Sequence, residues 1–137
     1  MARILAIDYG VRRTGIAVTD PLQIIANGLT TVDTRQLLTF LKEYVQRESV
    51  ERFVVGRPMQ TNGRESENLV NVRKFVEKLN QALPNIPVDW WDERFTSVMA
   101  HQTMLDSGIG KMARRNKALV DEISACIILQ GWMERRR

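Results

Sequence analysis

Three acidic side chains stand where carboxylates are costly. Asp8 closes the apolar run Ile4-Leu5-Ala6-Ile7, and an ionised carboxylate among such neighbours needs a cation or hydrogen bonds to offset its lost hydration. Gly10 follows, and its missing Cβ allows a ligand to come close to the backbone. Asp121 lies in a segment, Ala118 to Leu129, that is apolar nearly all round, the pattern of a largely buried helix. Helical spacing gives it a shared face with Lys117, Ser124, Ala125 and Ile128. Asp92 and Glu93 end the run Val88-Asp89-Trp90-Trp91. Strand alternation sends those two to opposite faces, so only one of them reaches a site shared with Asp8, and spacing does not choose between them. Three such acids would bind a hard cation, Mg²⁺ or Mn²⁺, through oxygen. A pair of these ions about 4 Å apart activates water and stabilises the leaving oxygen in phosphoryl displacement.

Each acid also has a plainer reading. Asp8 can satisfy the amides of the turn that follows it. Asp92 or Glu93 can serve the dipole of the next helix, and Lys117, one turn before Asp121, can be its ion-pair partner. Other chemistries have less material. His101 is the lone histidine and Cys126 the lone cysteine, which leaves no zinc site and no nucleophilic triad. Cys126, in the run Ile123–Leu129, reads as a buried structural thiol, and a single cysteine suits a reducing, cytoplasmic setting. No stretch reaches the length of a membrane span.

The net charge of +4 is unevenly placed. Residues 1–93 carry equal numbers of acids and bases, so the whole excess falls in the last third. Lys111, Arg114, Arg115 and Lys117 fall within seven residues that hold no acid, a segment suited to clamping phosphates or simply to being solvated. A basic surface beside carboxylates fits a polyanion better than a membrane. Trp90 and Trp91 alternate faces, so at least one packs in the core.

The elements that must position these residues can be read from period and punctuation. Arg3–Tyr9, Gly15–Thr19 and Ala26–Val32 read as three strands, with a turn over Gly10–Thr14 and another at Asp20-Pro21, forming an antiparallel meander. Asp33 or Thr34 caps a helix with Leu37, Leu38, Leu41, Tyr44 and Val45 on its apolar face. Arg52–Gly56 is a short buried strand, and a helix over Glu65–Leu83 presents Leu69, Val72, Phe75, Val76 and Leu79. Val88–Trp91 is a strand, Ser97–Asp106 a helix ending at Gly108, and Lys117–Glu134 a long final helix. This order predicts one α/β domain over residues 1–137, a five-stranded mixed sheet with three antiparallel strands and then parallel ones, flanked by helices. In such sheets ligands gather at the carboxyl ends of parallel strands, here after Tyr9, Gly56 and Trp91.

Four segments together resemble one family. Ile4 to Gly10 with Arg13, Gly15, Ala17, Val18 and Asp20 is similar to its first motif. Val54-Val55-Gly56-Arg57-Pro58 with Gly63 is similar to its second, and Asp92-Glu93-Arg94-Phe95-Thr96-Ser97 to its third. Lys117 through Asp121 to Ala125, Ile128 and Leu129 is similar to its fourth. These match the YqgF (RuvX) family, the Holliday-junction-resolvase-like nucleases of pre-16S rRNA maturation. Each motif alone is weak, and the ordered set spans essentially the whole chain. Thr14 stands where the family often has isoleucine, and Arg57 and Met59 replace leucines of a Gly-Leu-Pro-Leu loop. The departures touch loop contacts and leave the acids intact.

The resemblance implies a ribonuclease H-like fold and selects Glu93 over Asp92. It implies Asp8, Glu93 and Asp121 as catalytic metal ligands. Lys117 and Arg94 would orient or neutralise phosphate, Arg57 would add a cation at the mouth of the site, and Arg13, Lys111, Arg114 and Arg115 complete a nucleic-acid surface. The expected function is metal-dependent cleavage of structured RNA, at the 5′ end of precursor 16S rRNA. A resolvase of branched DNA would use the same chemistry in a homodimer with two sites. A non-catalytic nucleic-acid-binding factor is a second alternative. A sugar-kinase or actin-like ATPase, suggested by Asp8-Tyr9-Gly10 with Thr14-Gly15, would need two lobes around its nucleotide.

Overall fold

The computed structural model describes residues 2–58, 68–92 and 117–136. Strand β1 spans Arg3–Asp8, β2 Arg13–Thr19 and β3 Ala26–Asp33. A 3₁₀ turn over Thr34–Gln36 leads into helix α1, Leu37–Arg47. Then come β4 (Val50–Arg57), α2 (Leu69–Ala82), β5 (Val88–Asp92) and α3 (Lys117–Arg136). The five strands form one sheet in the order β3-β2-β1-β4-β5. β1 pairs antiparallel with β2 and parallel with β4, β2 pairs antiparallel with β3, and β4 pairs parallel with β5. This is the expected mixed sheet. The expected helix over Ser97–Asp106 and the loop over 108–116 lie outside the described residues.

Alternation along the strands builds two cores. Leu5, Ile7, Ile16, Val18, Phe53 and Val55 face one side, where they meet Leu37, Leu41 and Tyr44 of α1 and Val72, Phe75, Val76 and Leu79 of α2. Ile4, Ala6, Ala17, Val54 and Trp91 face the other side and meet Ala125, Ile128, Leu129 and Met133 of α3. β1 is therefore buried on both faces, as expected of a central strand. Burying a side chain the size of Phe53 or Leu41 contributes about 1.5–3 kcal/mol, and both are fully covered.

Small residues let α3 come close to the sheet. A Cβ on Gly131 would stand 2.6 Å from the Trp91 ring, so the glycine gives the indole its place. Asp89 ties the same layers together: it accepts from Arg52 at 2.8 Å and from the Trp132 indole N–H at 3.1 Å. Trp91 is buried and Trp90 is partly exposed, the split that alternation demands.

Several sequence boundaries move. β2 begins at Arg13, so Arg13 and Thr14, expected in a turn, are in the ladder opposite Asp33 and Val32. α2 begins at Leu69 with Asn68 at its N-cap, and the expected start over residues 65–67 lies outside the described residues. Asp33 does cap, accepting from the Arg35 amide at 2.9 Å, but the turn it caps is 3₁₀, and α1 starts only at Leu37.

Candidate active site

The carboxyl end of β1 carries Asp8 opposite Gly15 of β2. Ile4 and Ala6 face α3, so the period of two gives Asp8 the same face. Gly15 faces α3 too, and it touches that helix at one residue. A Cβ there would fall 2.1 Å from the carbonyl oxygen of Asp121 and 3.0 Å from its Cβ. Gly15 thus lets the backbone at Asp121 rest directly on β2, beside the strand position that holds Asp8. Helical spacing marks small neighbours of Asp121 at 124 and 125; the small residue that admits it closest is on the sheet.

Arg13, two residues before Gly15 on the same face, donates from Nε to Oδ2 of Asp121 at 3.0 Å. The two side chains are 41% and 24% exposed. A pair this open to solvent contributes about 0–1 kcal/mol, less than an apolar side chain buried at that position would. Fold stability by itself does not account for an acid at 121. Among the described residues a cation reaches Asp121 from β2; the side chain of Lys117, the partner that helical spacing offers, lies outside them.

The turn between Asp8 and Arg13 is held by hydroxyls. Thr14, fully buried, lies 2.9 Å from the hydroxyl of Thr34. The Thr34 hydroxyl donates to the Gly10 carbonyl at 2.6 Å, and its amide donates to the Arg12 carbonyl at 3.0 Å. Asn68, at the head of α2, donates to the Tyr9 carbonyl at 3.4 Å. Gly10 must be small, since a Cβ would meet the Arg13 carbonyl oxygen at 2.2 Å. Thr14, the departure from the family pattern, is therefore the buried half of a hydroxyl pair. Sequence reading misses Thr34 because nothing local marks a partner twenty residues away.

Arg57 ends β4, next to Asp92 of β5 in register. Val55 faces α1 and α2, so Arg57 starts out on that face and not on the face of Asp8. Trp91 meets α3, which gives Asp92 the opposite side. Glu93, Arg94, Lys111, Arg114 and Arg115 lie outside the described residues. Among the described residues no group of three or more potential ligands assembles; Asp8 and Asp121 are two of the three acids expected. Their oxygen donors suit a hard divalent cation and not a soft one. Cys126 is only partly buried, not fully as expected. It donates to the Ala26 carbonyl at 3.5 Å, and burial pushes its thiol pKa up, against the needs of a nucleophile.

A sheet in this order, with helices on both faces, has the ribonuclease H-like fold. Thermus thermophilus RuvC in complex with a Holliday junction substrate has this fold, with a TM-score of 0.59 and 19% identity over 99% of this chain and 96% of that one. The RuvX family profile, described as Holliday junction resolvase, matches residues 2–135, and the chain belongs to that family. A relative from Phocaeicola vulgatus is 63% identical over 100% of this chain and 99% of its own. One from Porphyromonas gingivalis is 62% identical over 98% and 97%. Both bear the name "Putative pre-16S rRNA nuclease". The family that the four motifs resemble is the one that matches.

Proposed function

We propose that the chain is a divalent-metal-dependent nuclease acting on structured RNA at the 5′ end of precursor 16S rRNA. The observation that carries the reading is the seating of Asp121 on Gly15, beside Asp8, at the carboxyl end of the central strand. The family match and the names of the relatives support a nuclease and this substrate. Asp8 and Asp121 are two ligands of the set. Glu93, the acid that the resemblance of the third motif implies, is the third, and Asp92 lies on the face away from α3. Mg²⁺ or Mn²⁺ held there supplies Lewis acidity and lowers the pKa of water.

The chain's own residues supply the rest. Arg13 keeps Asp121 oriented while the site is free of substrate, then offers its guanidinium to a phosphate. The hydroxyl pair of Thr14 and Thr34 fixes the turn that leads into Arg13, which limits the reorganisation left for binding. Arg94, Lys111, Arg114, Arg115 and Lys117 neutralise phosphates, and Arg57, which starts on the other face of the sheet, adds a cation at the mouth of the site. No helix among the described residues is long and apolar enough to cross a membrane, and an rRNA substrate places the work in the cytoplasm.

The test is cleavage of end-labelled precursor 16S rRNA beside a synthetic four-way DNA junction, with Mg²⁺ or Mn²⁺ and with Asp8→Asn as control. Metal-dependent cleavage of the RNA, lost in Asp8→Asn, is the expected result. Cleavage of the junction alone would replace this reading with a resolvase, which calls for a homodimer. Binding of RNA with no cleavage of either substrate would make the protein a non-catalytic binding factor.

A further inference from the structure

On the opposite face of the sheet from α3, an open groove of about 510 Å³ runs between α1 and α2. It starts at Tyr9 and Val11, in the turn just past Asp8, and continues along Phe75, Lys74 and Lys78 of α2. Among the described residues its lining holds three cations, Arg35, Lys74 and Lys78, and no carboxylate. Arg35 is engaged by Asp33 at 3.0 Å, so the two lysines carry the net charge. They stand one helical turn apart, about 6 Å along the axis, a step comparable to that between successive phosphates of an extended strand. Like charges at this spacing weakly destabilise a helix. The floor is apolar: Tyr9 packs against Phe75 at 5.4 Å between ring centroids, and Val11 is 68% exposed.

We infer that this groove is a track for a single-stranded polynucleotide. The inference rests on the nuclease reading for its occupant. A strand leaving Asp8 on the α3 face crosses the sheet end over Val11, sets a base against Tyr9, and runs its phosphates past Lys74 and Lys78. Phosphates joined to flat apolar rings match cations beside an aromatic floor; an acidic peptide would use the cations and leave the floor bare.

The test is binding of a fluorescein-labelled single strand, as RNA and as DNA of one sequence, in EDTA so that no cleavage occurs. Wild type is compared with Lys74→Gln/Lys78→Gln across a range of salt. Removing two phosphate-binding cations should lower the slope of log K against log salt by about 1.4, at about 0.7 per neutralised phosphate on a single strand. A drop on either polymer supports the track and identifies what it takes. An unchanged slope on both overturns it, as does equal displacement of the strand by polyglutamate. If the double variant folds poorly, photo-crosslinking of a 4-thiouridine strand to wild type decides. Crosslinks on peptides holding Tyr9–Val11 or α2 support the track, and crosslinks confined to 111–117 overturn it. Failure of wild type to cleave precursor rRNA while the slope still drops would refute the nuclease reading and leave the track standing. Cleavage with an unchanged slope would do the reverse.

Discussion

Asp121 is three-quarters covered, rests on Gly15, and has Arg13 as the cation beside it. If Asp121 is a metal ligand, Arg13 and the metal compete for its carboxylate. Arg13→Gln should then leave thermal stability within about 1 kcal/mol of wild type, the limit for so exposed a pair. Its affinity for Mg²⁺, read by calorimetry, should rise about two- to fivefold for the same reason. Asp121→Asn should abolish the stabilisation that Mg²⁺ gives wild type, since a ligand stabilises only the state that binds it. Equal Mg²⁺-induced shifts in Tm for wild type and Asp121→Asn would remove Asp121 from the site.

The elements matter here for how closely they approach. α3 meets β2 through Gly15 and packs on Trp91 through Gly131. At Gly15 the obstacle is a backbone carbonyl, which cannot rotate aside as a side chain can. Gly15→Ala should force the start of α3 off the sheet at a cost of about 1–3 kcal/mol, typical of overpacking. It should also weaken Mg²⁺ binding, because Asp121 moves with the helix. Denaturant unfolding reads the first effect and calorimetry the second. A variant as stable as wild type and with unchanged Mg²⁺ affinity would mean the approach of α3 is not what builds the site.

Across the molecule as a whole, charge and carboxylates are separated along the chain. Residues 1–93 are neutral overall, and the net +4 comes from the remainder. Under the nuclease reading the segment 111–117 is the main phosphate clamp. Arg114→Ala/Arg115→Ala should weaken RNA binding and lower its salt slope by about 0.7 to 0.9 for each arginine that engages a phosphate, with folding nearly unchanged. Filter binding at several salt concentrations measures this, and a slope equal to wild type would mean those arginines are merely solvated.

Period along the chain is enough to define the secondary elements and their faces. Leu5 and Ile7 against Ile4 and Ala6, and the five apolar residues of α2, are periodicities that local chain geometry converts directly into sides. The same runs make Asp8 and Asp121 conspicuous, because a carboxylate in an apolar run is expensive wherever the run folds. The start of α2 is less legible, because composition does not mark where the first turn of a helix forms. The contact of Gly15 with Asp121, the 108-residue separation of the Arg13–Asp121 pair, and the hydroxyl bridge of Thr14 to Thr34 have no local signature. Such contacts depend on how the sheet and α3 dock, which is settled in three dimensions by packing and not by local period. The same docking makes Arg13 a partner of an acid as well as a candidate for phosphate. The placing of α1 beside α2 likewise turns Lys74 and Lys78 toward a groove, where helical period alone shows an ordinary solvated surface.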